Sequence, residues 1–538
     1  MTALRIAPRG RVARILVALL AVAAIAVALW QLSLPWRGLV AEAHRVGDTP
    51  VTVVRPATLQ APAPTVVIVP GFAGSRQLMR GYSLALARAG SIAVAYDALG
   101  HGRNPQPLPG DLMDPEGATR FLLEELNRVA AFARALPGSD GRLGLVGHSM
   151  ASNLVVLQAR RDPSVVGTVA VSMYAPAVGP DGPGRLLVLD GQYESAFLHE
   201  EGLKAVGMIS APEPPRAGVT YGSFAEGTAR RYDLVPGAGH IGVLFAPEAL
   251  AATVAWLDRA FGRIEGDGAV TDDTPPPPVR RPWILVLLAG IVALGWSLAA
   301  LLPRVTASPA GPGLRWRDLL PVAVAPAVLT PLILWPLPTD VLPLLGGDDL
   351  AAHFFVYGLI TALGAGEVVR RQRKRQGQPA FLDAARSPKA TTRWGGLVLA
   401  MVAVTLYAIG AQTLVLDGVL MAFLPFGERW AFLPWLVMGV LPFFVVDAWL
   451  IRGAGWRSGA GLLTRGLFLV SLGVAIALEA DRLFFMAVLI PTLMAAFLTN
   501  GLFARFAIAR TGHPLTGAVP AALAVAWTIA ATFPMVAE

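Results

Sequence analysis

The chain has 538 residues, 54% of them hydrophobic and 15% charged, with no cysteine and a formal net charge of +8. Soluble proteins carry about 25% charged residues, so this composition and a mean hydropathy of +0.57 exclude a wholly soluble chain and a disordered one, while the missing cysteines exclude disulfides, thiolate nucleophiles and Cys-ligated metal centres. The positive charge does not point to nucleic acid: residues 37–280 hold 21 Lys/Arg and 24 Asp/Glu, a net of −3, and the surplus of +11 lies among the apolar segments, as in the cytoplasmic loops of a membrane protein.

Residues 11–33 contain an apolar run of about 20 residues, enough to span a bilayer, with Arg5, Arg9, Arg11 and Arg14 at its N-terminal side. A retained anchor, residues 1–36, is the expectation, because the run exceeds the 7 to 15 residues usual for a signal-peptide core. The sequence Ala41-Glu42-Ala43 keeps a cleavage site open as the alternative. Both readings export the segment beyond the run.

Residues 37–264 alternate strand-like and helix-like stretches and predict a soluble α/β domain with a parallel sheet covered on both faces. The expected strands are 65–69, 91–96, 142–146, 165–171, 185–189 and 231–235. The expected helices are 76–88, 115–136, 153–161 and 247–261. Residues 265–282 include four consecutive prolines and read as a stiff linker. From Trp283 to the end, eight further apolar runs centre near residues 293, 328, 359, 405, 441, 473, 493 and 527, an all-α polytopic membrane domain. Alternate loops, with the N-terminal tail, hold 20 Lys/Arg, whereas the short loops on the other side hold two, Arg429 and Arg482. That asymmetry predicts a multi-pass cell-membrane protein with its N-terminus inside and its α/β domain outside the cytoplasm. Ionisable groups within spans are candidates for function. Asp447 is the clearest, with Arg452 one turn away as a pairing partner; Glu367, Glu479 and Asp481 lie nearer the interfaces. The run 370–375 reads as a topology anchor facing anionic lipid.

The chemistry concentrates at Gly147-His148-Ser149-Met150-Ala151, a nucleophile-elbow pattern G-x-S-x-G with alanine in the last place. The relaxed pattern is common by chance, and Gly295-Trp296-Ser297-Leu298-Ala299 also fits it inside an apolar span. Only Ser149 follows a strand and precedes a helix-like stretch. A serine hydroxyl needs a base and an orienting carboxylate. The base is His240, in a Gly-rich turn after the 231–235 strand and before the last soluble helix. His148 and His101, beside motif glycines, read as loop-packing or substrate-facing groups.

With these residues, positions 50–262 resemble the α/β-hydrolase superfamily of serine esterases and lipases. Pro70-Gly71-Phe72-Ala73-Gly74 resembles its H-G-x-x-G oxyanion loop, with proline for histidine, and Asp97-Ala98-Leu99-Gly100-His101-Gly102 its D-x-x-G-H-G stretch, with Asn104 where serine is usual. The resemblance places the acid on Glu194, within Asp190-Gly191-Gln192-Tyr193-Glu194; Asp190 on a shortened loop stays open as the alternative, as does a loop-bonding role for both. It implies an oxyanion hole from the backbone N–H groups of Phe72 and Met150. Only eight residues, 177–184, separate the strand after the elbow from the acid strand, so no lid is expected. The implied activity is cleavage of a carboxylic ester, of a lipid or an envelope component, through an acyl-enzyme, with no metal or cofactor. Acyl transfer by the same triad, and a transporter or assembly protein with a non-catalytic binding domain, are the alternatives. No family is recognised for residues 283–538, and the oligomeric state is unreadable.

Overall fold

The computed structural model describes residues 8–110, 117–264, 277–306, 311–312, 314–377, 392–452 and 459–537. The proline run of the expected linker begins outside these residues. Contacts divide the chain into two compact units, one of Val27–Val286, Asp417–Ala422 and Pro534–Glu538, the other of Met1–Ala26, Leu287–Leu416 and Phe423–Phe533.

The first unit is built on a nine-stranded sheet. Its elements are β1 (Leu39–Val46), β2 (Thr49–Pro56), β3 (Ala63–Val69), α2 (Arg80–Arg88), β4 (Ile92–Tyr96), α3 (Ala118–Arg134), β5 (Ser139–His148), α4 (Ala151–Arg161), β6 (Val165–Val171), β7 (Leu186–Gly191), α5 (Ala196–Ser210), β8 (Thr220–Tyr221), β9 (Arg230–Val235) and α6 (Pro247–Ala260); α1 (Pro8–Ser33) precedes them. The strand order is β1-β2-β4-β3-β5-β6-β7-β9-β8. The six strands from β4 to β9 in that order run parallel, while β1, β2 and β8 join antiparallel. β3 is buried along its whole length, as a central strand covered on both faces must be, and its apolar run TVVIV follows from that. On one face α2 and α6 pack through Tyr82, Ala85, Leu86, Leu250, Val254 and Leu257. On the other, α3 and α4 pack through Leu122, Leu126, Val129, Leu154 and Val155.

The parallel register has one consequence for chemistry. Val69 of β3 pairs with Gly147 of β5, His148 with Val171 of β6, and Gly191 of β7 with Val235 of β9. The loops that leave these strands therefore open on one edge, the carboxyl edge at which open α/β sheets bind ligands.

Several expectations are corrected. The hairpin β1–β2 was not anticipated; it turns on Gly47-Asp48, with Val46 opposite Thr49 and Gly47 at φ +61. Helix α5 was also not anticipated. Helix α2 starts at Arg80, not 76, because Ser75 and Arg76 belong to the loop after β3: the Arg76 N–H and guanidinium donate to Asp97 at 2.8 and 2.7 Å. Between β6 and β7 lie 14 residues, 172–185, rather than eight, because residues 172–176 have already left the strand; they form no helix. Two distant segments also fold into this unit. Ala422 N–H donates to Ser75 Oγ, Asp417 pairs with Arg103, and Met535 and Ala537 exchange backbone bonds with Gly100 and Leu108.

The second unit is helical: α7 (Arg281–Leu298), α8 (Trp316–Leu334), α9 (Gly347–Arg375), α10 (Trp394–Gly410), α11 (Arg429–Arg452), α12 (Ala460–Leu478), α13 (Ala480–Thr511) and α14 (Leu515–Thr532). Among the described residues of the whole chain, nine helices are long and apolar enough to cross a membrane, compatible with a multi-pass membrane protein. Phe354, Phe443, Phe468 and Phe497, all buried, pack together. The Asp447 carboxylate accepts from Thr464 Oγ1 and the Arg465 guanidinium, at 2.7 and 3.1 Å, both on α12; the side chain of Arg452, the pairing partner offered by the sequence, lies outside the described residues. Glu367 pairs with Arg370 and Arg371, and Glu479 with Arg482. Asp481 lies in the first turn of α13.

Candidate active site

Ser149 stands between β5 and α4 with φ +54, a left-handed conformation that costs a non-glycine residue strain. The strain is held by its surroundings: Ser149 N–H donates to Val171 O at 2.8 Å, and Ser149 O accepts from Ser152 N–H. The glycine at 147 is required, since a Cβ there would lie 2.4 Å from the Ala151 carbonyl oxygen. Alanine in the last motif position is fully buried and leaves room for that approach. Ser297, the other match, lies inside α7 and donates to Ala293 O.

The loop after β9 brings His240 over the serine. Its Nε2 lies 2.9 Å from Ser149 Oγ and its Nδ1 lies 2.8 Å from Glu194 Oε2. A carboxylate accepts, so Nδ1 carries the hydrogen and Nε2 is free to take the serine proton. Glu194 Oε1 accepts from Ser172 Oγ at 2.7 Å and from Gly191 N–H at 2.8 Å. The Glu194 side chain is 1% exposed. Burial pushes its pKa up, but the bonds from His240, Gly191 and Ser172 and the nearby imidazole outweigh it, so the carboxyl is held below its ordinary value.

Asp190, the alternative acid, ends in a different place. It is fully buried and accepts from Met173 N–H at 3.1 Å. Burial first, then the charge of Glu194, raise its pKa to about 8, which favours the neutral acid at pH 7. A group of that kind does not offer an imidazolium a counter-charge.

The loop 70–74 lies against the elbow. A Cβ on Gly71 would meet His148 O at 2.8 Å and Ser149 Cβ at 2.9 Å, and Gly74 N–H closes the turn on Gly71 O. Phe72 follows that contact, and Met150 precedes the first turn of α4, where the N–H groups carry the positive end of the helix dipole.

Further polar residues support these loops, and two of them, Glu125 and Ser172, are ones that sequence reasoning missed. Glu125 of α3 is buried and accepts from Thr49 Oγ1, Leu99 N–H and Asn104 Nδ2. Burial raises its pKa to about 7. Asn104, the departure from serine, also donates to Asp97 O; it staples its loop from both ends. His101 is buried and donates from Nδ1 to Leu99 O. Ser172, whose φ of +53 turns its hydroxyl to Glu194, had no signal beyond its place at the end of β6. His148 is buried, with Nε2 3.0 Å from His240 O. Among the described residues no three His, Cys, Asp or Glu side chains gather as a metal site.

Comparison with known proteins agrees with the sheet. Residues 64–197 match the family model described as alpha/beta hydrolase fold, and no curated protein matches the chain. Among solved structures, the chain is similar to a predicted CIB-like hydrolase from Thermoplasma acidophilum (19% identity, 41% of this chain and 97% of that one, TM-score 0.31). It is similar also to TT1662 from Thermus thermophilus (20%, 41% and 98%, 0.29) and to Est1E from Butyrivibrio proteoclasticus, solved with ferulic acid (14%, 41% and 100%, 0.31). The N-terminal part of the chain has the α/β-hydrolase fold.

Proposed function

Taking the α/β-hydrolase fold of the N-terminal part as premise, we propose that this chain is a membrane-held serine hydrolase that cleaves a carboxylic ester through an acyl-enzyme. The observation that carries the reading is the continuous hydrogen-bonded line from Ser149 Oγ through both His240 nitrogens to Glu194, at 2.9 and 2.8 Å. His240 Nε2 takes the Ser149 proton as Oγ attacks the acyl carbon. Glu194 holds the resulting imidazolium, and its two remaining donors, Ser172 and Gly191, keep it ionised and aimed. The N–H groups of Met150 and Phe72 receive the oxyanion, an interaction typically worth about 3 kcal/mol per donor in the transition state. His240 then protonates the leaving alcohol, and water deprotonated by His240 resolves the ester of Ser149.

An ester with an apolar portion, from a lipid or an envelope component, is supported by the aromatics around the site. Tyr193, next to Glu194, is 73% exposed, and Tyr174 and Phe197 are 51% and 47% exposed with rings 5.5 Å apart. Tyr174 is tied by its backbone to Ser152, three residues past the serine. Placement at the cell membrane with the hydrolase domain outside the cytoplasm is supported by the apolar helices and by the asymmetry of Lys and Arg between alternate loops. The test is turnover of a series of aryl esters by membranes containing the chain: activity lost in both Ser149→Ala and His240→Ala supports the reading, and activity equal to wild type in either overturns it.

A further inference from the structure

His148 ends β5, immediately before the serine, and the triad chemistry does not use it. Its side chain is buried, and two loops meet on it. Its Nε2 lies 3.0 Å from the backbone oxygen of His240; a carbonyl can only accept, so Nε2 carries the hydrogen. Its ring centre lies 4.9 Å from that of His240, inclined by 50°. A Cβ on Gly71 would stand 3.0 Å from its Nδ1, so the other side of the ring abuts the loop after β3. The sequence offered packing or substrate contact for this residue, and the structure shows a different connection.

The reason such a connection matters is the loop that carries His240. Residues 236–242 include Gly237, Gly239 and Gly242, and Gly237 has φ +63. Glu194 fixes the His240 ring at Nδ1 but leaves its backbone to this loop. We propose that His148 is a positioning residue whose Nε2–H holds the His240 carbonyl and so keeps the base over Ser149; the inference rests on the Ser149–His240–Glu194 reading. Two fixed points, one on the ring and one on the backbone, leave the imidazole no swing, and a misplacement of 1 Å at a reacting group costs about 10²-fold in rate. Burial beside His240 holds the ring of His148 neutral, its pKa pushed down to about 3, so no second positive charge faces the imidazolium as it forms.

The experiment compares His148→Leu, which fills the space without a donor, with His148→Gln, whose amide reaches the same carbonyl with one. Turnover of an aryl ester and the rate of fluorophosphonate labelling are measured on the full chain in membranes. The expected result is a kcat about 10- to 100-fold lower for His148→Leu with KM within about twofold, labelling slowed in parallel, and His148→Gln restored to within about fivefold of wild type. If His148→Leu does not reach the membrane, His148→Asn, whose shorter amide stops short of the carbonyl, takes its place with the same expectation. Wild-type kcat in the donorless variant, or a glutamine variant no better than it, overturns the positioning role alone. A wild-type chain that neither turns over ester nor labels at Ser149 overturns the triad reading and this inference with it.

Discussion

Replacing Glu194 by glutamine asks which of its three bonds the histidine depends on. The carboxylate accepts on both oxygens: His240 Nδ1–H on Oε2, Ser172 Oγ–H and Gly191 N–H on Oε1. A glutamine must put its NH2 in one of these places. On the Oε1 side it would face the Gly191 backbone N–H, which cannot turn away, and a buried donor left without an acceptor costs about 1–3 kcal/mol. On the Oε2 side it faces a ring that can change tautomer, so this orientation wins. The cost then falls on chemistry: Nδ1 accepts, Nε2 carries the hydrogen, and it can no longer take the proton of Ser149 Oγ. The imidazolium also loses its counter-charge. In the well-studied triad the equivalent change lowers turnover by about 10⁴, and Glu194→Gln is expected to lower kcat at least ~10²-fold with a melting temperature close to that of wild type. Asp190→Asn is nearly isosteric with the neutral acid present at pH 7, keeps an oxygen for Met173 N–H, and is expected to change kcat less than about threefold. Steady-state ester hydrolysis with thermal melts on the same preparations decides it. A large loss in Asp190→Asn beside a small one in Glu194→Gln would refute the reasoning.

Three more outcomes are expected of the same structure. Because the folded pKa of Asp190 is raised to about 8 from an unfolded value near 4, its burial as a neutral acid stabilises fully below about pH 4 and is lost as pH rises through about 8; Asp190→Asn should therefore raise the melting temperature relative to wild type more at pH 8.5 than at pH 5, and an equal effect at both would contradict this. Gly71→Ala puts a Cβ 2.8 Å from His148 O, so it should displace the loop carrying Phe72 and lower kcat by about 10²-fold, the size of one lost oxyanion donor; unchanged kcat would show that the loop has room. The charge asymmetry predicts that a reporter fused after Glu538 is extracytoplasmic and one placed within 376–390 is cytoplasmic; cytoplasmic signal from both would mean a miscounted span.

Much of the site was legible because its signals are local. A parallel strand buried on both faces is an apolar run, and a strand ending in glycine, serine or proline marks a loop at the carboxyl edge, so β3, β5, β6, β7 and β9 and the residues just beyond them could be read in order. The hairpin β1–β2 was harder, since β1 reads LVAEAHRV and is at least partly exposed throughout; only the Gly47-Asp48 turn marked it. Helix α5 carries Gly202 and Gly207, which weaken a helical pattern; the first is there because a Cβ would meet the Tyr232 ring at 2.5 Å. Contacts that join distant strands had no local trace: the hydroxyl of Ser172 on Glu194, the bond from His148 to His240, and Glu125 under the loop at Leu99. The same limit applies to Asp447, whose bond from Arg465 on the next helix has no trace in local spacing.

The central claim is that Ser149 is the nucleophile, and the most direct measurement is peptide mapping of the chain after reaction with a fluorophosphonate in native membranes. A single adduct is expected, on Ser149, absent in Ser149→Ala and strongly slowed in His240→Ala. An adduct on another residue, or labelling that persists in Ser149→Ala, would contradict it.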